Sequence, residues 1–155
     1  MSTAVQFTDM VSLCRFMTHV AGQQSFGAYN VAYPRDAYTL KDYLRTCLDV
    51  TRSKARLTWI PRAFLEGRDI RPYRDLPMWR PEPAGFYAFN ADKALRAGLQ
   101  NRPLLAPVEE MFRGYLQRHP GDDFQFGTDP HHGTISMQVE AEVLAAWHQA
   151  ALEHG

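Results

Sequence analysis

Two adjacent histidines in a polar stretch, Asp129-Pro130-His131-His132-Gly133, are the most reactive-looking residues of this sequence. Imidazole changes charge near neutral pH, so His131 and His132 could ligate a metal or serve as acid and base. Neighbouring side chains on a loop point in different directions and no third ligand stands at metal-binding spacing, so a solvated loop is the other reading and no metal is expected. A second group, Trp59, Arg62, Tyr73, Arg74, Asp75 and Trp79, mixes aromatic rings with charge. In a ligand pocket rings supply apolar contact while a few polar groups set orientation. Asp75 joins the two histidines as a candidate catalytic group. The same residues also read as two core tryptophans beside a surface Arg74–Asp75 pair.

The elements that must position these groups are mostly helices. Apolar residues recur at helical spacing from Met10 to Ala21, with Asp9 as N-cap and Gly22 just past the end. Thr39 caps a second amphipathic run through Leu40, Tyr43, Leu44, Cys47 and Leu48. Arg62 to Glu66 is one helical turn ended by Gly67, and Asn90 caps a short helix from Ala91 to Ala97 ended by Gly98. Pro107 sits at the first position of the next helix, and Ser136 caps a last one carrying Val139, Val143, Leu144 and Trp147. Val5 to Phe7, Gly27 to Tyr33, Ala55 to Ile60 and Gly85 to Phe89 read as short strands, the third of them buried. Short strands scattered among about five helices predict an α+β fold in a single domain spanning residues 1–155.

Composition narrows the function. Seventeen basic residues balance seventeen acidic ones, which disfavours nucleic acid and anionic membranes as partners. Hydrophobic residues make up 45% of the chain, enough for a core. No stretch reaches the length of a membrane span and Met1 to Phe7 has no leader-like character, so a cytoplasmic protein is expected. Cys14 and Cys47 fall on apolar helical stripes and read as buried, reduced thiols.

Several strings in order resemble the C-terminal substrate-binding region of extended short-chain dehydrogenases, the NAD-dependent epimerase/dehydratase family. They are Val5-Gln6-Phe7-Thr8-Asp9, Gly27-Ala28-Tyr29-Asn30-Val31, Leu57-Thr58-Trp59-Ile60-Pro61, Leu76-Pro77-Met78-Trp79, Asn90-Ala91-Asp92-Lys93-Ala94, Arg102-Pro103-Leu104 and Glu140 to Trp147. The resemblance implies that the region from Trp59 to Trp79 helps wall a substrate pocket. It also carries over Asn30, which either contributes to the pocket or satisfies backbone near a strand end. Arg102 comes with it, as a captor of an anionic substrate group or as a loop pin. The chain departs from the family at Val11-Ser12, Asn90 and Val139, where charged residues are usual.

The family's redox chemistry needs a glycine-rich turn for the cofactor pyrophosphate and a tyrosine four residues before a lysine. None of the ten glycines forms Gly-x-Gly, and Lys41, Lys54 and Lys93 follow Ala37, Val50 and Phe89 at that spacing. No nicotinamide cofactor, and no self-sufficient NAD(P)-dependent oxidoreductase, is therefore expected. The leading expectation is a stand-alone domain that binds a small organic molecule and could turn it over without redox, as an isomerase, cyclase or hydrolase. The alternatives are the substrate-binding subunit of a split oxidoreductase and a non-catalytic binding remnant. Loss of the nucleotide domain would bare an apolar surface, which predicts a homodimer or a separate nucleotide-binding chain.

Overall fold

The computed structural model describes residues 4–80, 85–121 and 135–153. The fold is mixed α+β, with six helices and one two-stranded antiparallel sheet among the described residues. The chain divides into two compact units, each built from two separate segments. One comprises Met1–Lys54 with Ala84–Pro120, the other Ala55–Pro83 with Gly121–Gly155.

In the first unit, β1 (Ala4–Val5) pairs with β2 (Tyr38–Thr39), Ala4 opposite Thr39 and Val5 opposite Tyr38. Helix α1 (Met10–Gly22) starts where the sequence predicts, because Asp9 Oδ1 accepts from the Val11 and Ser12 N–H groups at 3.1 and 3.0 Å. Helix α2 (Leu40–Thr51) begins with a capping box: Thr39 Oγ1 accepts from the Asp42 N–H while the Asp42 carboxylate accepts from the Thr39 N–H. Helix α4 (Asp92–Arg96) is shorter than expected, although Asn90 Oδ1 still accepts from the Asp92 N–H at 2.8 Å. Helix α5 (Leu105–Arg118) packs against α2. It starts two residues before Pro107, whose missing N–H is harmless in the first turn. Gly98 terminates the α4 region at φ +96°, and a Cβ there would sit 2.6 Å from His19 Nε2. Phe16, Ala94 and Leu99 form the buried centre, with Val20, Tyr29 and Val31 packed around it.

The second unit holds α3 (Arg62–Glu66) and α6 (Met137–Glu153). Ser136 Oγ accepts from the Val139 N–H at the start of α6. Leu65, Ile70 and Val143 are its core, covered by Ile60, Leu76, Trp79, Ile135 and Val139. Phe64 and Trp147 meet edge-on, ring centroids 4.9 Å apart.

Three predicted strands are absent. Gly27–Tyr33, Ala55–Ile60 and Gly85–Phe89 carry no ladder, and Val5–Phe7 shrinks to the two residues of β1. Nor is Ala55–Ile60 buried; Trp59 in it is half exposed. The physical reason in the first unit is that side chains supply what a neighbouring strand would. Lys93 Nζ donates to Ala28 O at 2.8 Å, Asn101 Nδ2 to Ala32 O at 3.2 Å, and Gln6 Nε2 to Tyr33 O at 3.0 Å. Gln6 also gives Nε2 to Phe89 O at 2.9 Å and accepts from the Phe89 N–H through Oε1 at 2.7 Å. A buried primary amide has the donor and acceptor of a peptide group, so it can bridge two segments that never pair. The cysteines also depart from expectation: Cys14 is exposed and Cys47 only half-buried, both as free thiols.

Gln6→Leu leaves the buried Tyr33 O and the partly buried N–H and C=O of Phe89 without these partners. We expect a loss of about 2–4 kcal/mol in urea unfolding; a loss below about 0.5 kcal/mol would show that the bridge is dispensable.

Candidate functional site

The first unit contains an open cleft of about 450 Å³ lined by Tyr33, Pro34, Ala37, Tyr38, Leu95, Asn101, Arg102 and Pro103. Its aromatic side belongs to a cluster. Tyr33 packs at 4.7 Å from Phe7 and 5.4 Å from Tyr38, and Phe7 lies 5.7 Å from Tyr43, all between ring centroids. Offset and edge-on contacts of this kind hold rings rigidly. Hydrogen bonds add to it: Tyr33 Oη donates to Arg102 O at 2.5 Å, and Tyr38 Oη accepts from the Leu104 N–H at 3.3 Å. Burial pushes the Tyr33 hydroxyl up to about 12, aided by the Asp9 carboxylate. It therefore stays protonated at neutral pH and holds its bond.

Arg102 forms the charged wall, and its guanidinium is already engaged. Nε and Nη2 donate to Asp9 Oδ1 at 3.0 and 2.7 Å, while Nη1 and Nη2 donate to Glu110 Oε1 and Oε2 at 2.7 and 2.8 Å. Glu110 and then Asp9 hold the guanidinium as a cation even more firmly than usual. Burial opposes ionisation of Asp9. The hydrogen bonds from Ser12 and Arg102 outweigh it, and the carboxyl lies below its ordinary value. Of the two roles open to Arg102, the geometry provides the pin. Asn101 has a different character. Its Nδ2 is committed to Ala32 O, while Oδ1 is shielded from solvent and has no hydrogen-bond partner.

The residues singled out from sequence are distributed differently. Arg102 lines the cleft, and Asn30 lies in the same unit, exposed, with Nδ2 donating to Asn90 O at 3.1 Å. Asn30 thus satisfies backbone, one of its two expected roles. Trp59, Arg62, Tyr73, Arg74, Asp75 and Trp79 all belong to the second unit. Trp79 packs on that unit's core. Arg62 pairs with Glu66 one turn along α3 at 2.8 Å. Tyr73 is exposed at φ 64°, with the Arg80 guanidinium 3.5 Å from its ring centroid.

Arg74 and Asp75 do come together, within a loop knot. Arg74 Nε donates to Asp75 Oδ2 at 2.9 Å, Arg74 Nη2 reaches the Asp69 carboxylate and backbone carbonyl, and Asp75 Oδ2 accepts from the Arg71 N–H at 2.7 Å. Burial works against the Asp75 carboxylate, yet Arg74 and the Arg71 N–H hold its pKa below the ordinary value. A carboxylate held ionised this way is a weak base and donates no proton near neutrality. Asp75 is thus a loop pin by its geometry. His131 and His132 lie outside the described residues, and no metal-holding cluster of His, Cys, Asp or Glu occurs among the described ones. No described helix is long and apolar enough to cross a membrane.

Tyr33, Tyr38 and Asn101 escape sequence reading. Tyr33 and Asn101 precede residues whose roles are conspicuous, Pro34 and Arg102, and the only signal for the cleft is the density of rings at Phe7, Tyr29, Tyr33, Tyr38 and Tyr43. Compared with known protein families, characterised proteins and solved structures, the chain matches none.

The Asp9 pKa gives a pH signature. A carboxyl depressed in the folded state stabilises fully above its unfolded value, ordinarily 3.8, and loses that contribution as pH falls through the lower folded value. Asp9→Asn should therefore be less stable than wild type by a constant margin at neutral pH, and the margin should narrow below pH 3.8. Urea midpoints across that range test this; a margin unchanged by acid would remove the ion pair from the account.

Proposed function

We propose that this protein binds a small organic molecule in the cleft between Tyr33, Tyr38 and Arg102, as a binding domain resembling the substrate region of extended short-chain dehydrogenases. The observation that carries the reading is the open cleft itself, lined by Tyr38, Pro34 and Pro103 beside the Arg102 guanidinium. The cleft volume of about 450 Å³ falls in the range of small-molecule sites. The ordered sequence strings from Val5 to Trp147 support the family likeness. Binding is favoured over turnover because two of the lining groups are each held in one state: Arg102 stays charged, and Tyr33 stays neutral with its pKa near 12.

The test is an amide-resonance titration of labelled protein with a set of neutral aromatic amides and alcohols. Saturable shifts should concentrate at Ala37, Tyr38 and Asn101. Ala37→Phe, which fills the cleft, should abolish them. Shifts that are absent, or that persist in Ala37→Phe, would overturn the reading.

A second reading, that the domain works as a homodimer, is favoured by the solvent face of α1. Met10, Cys14, Met17 and Ala21 are all exposed there, at the alternating four- and three-residue spacing by which two helices pack. Like stripes complement each other across a two-fold axis without any other chain. Sedimentation at micromolar concentration should show a dimer that Met17→Glu dissociates; a wild-type monomer would end this reading.

A further inference from the structure

Three buried oxygens at the start of α1 have no hydrogen-bond partner in the protein. They are Thr8 Oγ1, Asp9 Oδ2 and Ser12 Oγ, each shielded from solvent. Asp9 is 7% exposed and Ser12 only 1%. Asp9 is the N-cap and Ser12 stands three residues on, a spacing that sets two side chains side by side at a helix start. The Ser12 N–H donates to Asp9 Oδ1 at 3.0 Å. Burial opposes the Asp9 charge, and the nearby Ser12 hydroxyl helps to favour it. Oδ1 carries all the hydrogen bonds of the Asp9 carboxylate, two from helix N–H groups and two from Arg102, while Oδ2 carries none. Thr8 adjoins Asp9 in the chain. A bare buried oxygen costs more than a typical hydrogen bond contributes, and a charged one costs most.

Size and charge narrow what can serve these oxygens. A group enclosed among atoms that meet no solvent has to be small. The carboxylate disfavours an anion. A cation is disfavoured as well, because the first-turn N–H groups and the Arg102 guanidinium already bring positive charge to Asp9. Water meets both limits. It is neutral, it both donates and accepts, and buried waters make about three hydrogen bonds to groups otherwise unpaired. We infer that one internal water is bound at the N-terminus of α1, donating to Asp9 Oδ2 and Thr8 Oγ1 and accepting the Ser12 hydroxyl proton. The Asp9 carboxylate is then held by both of its oxygens, Oδ1 by the helix and Arg102, Oδ2 by the water. The water is thereby a component of the ion pair that joins α1 to the loop before α5, and it is independent of whatever the open cleft binds.

High-resolution crystallography of the full chain tests this directly. An ordered water should lie within about 3.2 Å of both Asp9 Oδ2 and Ser12 Oγ. A Ser12 hydroxyl bonded straight to Asp9 Oδ2, with no water between them, would overturn the inference. Two substitutions read the same site in solution by urea unfolding. Ser12→Ala removes one partner of the water but leaves its room, and should raise the unfolding constant about three- to tenfold. Ser12→Val puts a methyl group where the water sits and strips Asp9 Oδ2 of its partner, so it should raise the constant at least about tenfold further. Valine tolerated as well as alanine would show that no water is there to displace.

Discussion

One guanidinium organises the first unit. Arg102 ties the carboxylate that caps α1, through Asp9, to the first turns of α5, through Glu110. Asp9 Oδ1 accepts from two helix N–H groups and two guanidinium N–H groups at once, so the start of α1 and the loop before α5 share a single oxygen. A carboxylate tolerates this because the helix N-terminus and the guanidinium both favour its charge. The residue before Arg102 and the residue after it line the cleft, and the carbonyl of Arg102 receives the Tyr33 hydroxyl. The shape of the candidate site is in that sense a by-product of how α1 and α5 are held.

The second organising device is the use of side-chain amides in place of a sheet. Gln6, Asn30 and Asn101 each donate to a backbone carbonyl far away in sequence, and Lys93 does the same with an ammonium. The residues from 27 to 33 are anchored from several directions without a strand beside them. The cost of this arrangement falls at Asn101, whose donor is used and whose acceptor is left over. In a sheet both halves of a peptide group find partners along the ladder. Here the unmatched half stays shielded from solvent.

The second unit shows why residue types alone mislead about sites. Arg74, Asp75, Asp69 and Arg71 satisfy one another around a tight loop, and Tyr73 lies under Arg80. Every charge in that group is spent on holding the loop in shape. Exposed ion pairs of this kind add little stability, but they fix backbone geometry where Tyr73 takes a left-handed conformation that a large residue rarely adopts.

The helices were legible because their signals are local. Asp9, Thr39, Asn90 and Ser136 each bond a backbone N–H within three residues, and the apolar spacing that follows them needs no knowledge of the rest of the chain. The mixed α+β class rested also on four expected strands, of which only Val5–Phe7 keeps a trace, in β1. The strands were misread because a strand is defined by its neighbour. Gly27–Tyr33 and Gly85–Phe89 have strand-like composition, and whether they pair depends on Gln6, Asn101 and Lys93 reaching them across many residues. The site follows the same rule. Sequence marked Arg102 as a residue of consequence, but its meeting with Asp9 and Glu110, which turns it from a free cation into a spent one, exists only once the chain is folded. Charge and hydrogen-bonding capacity belong to residues, whereas the share of each left available to a ligand is decided by tertiary contacts.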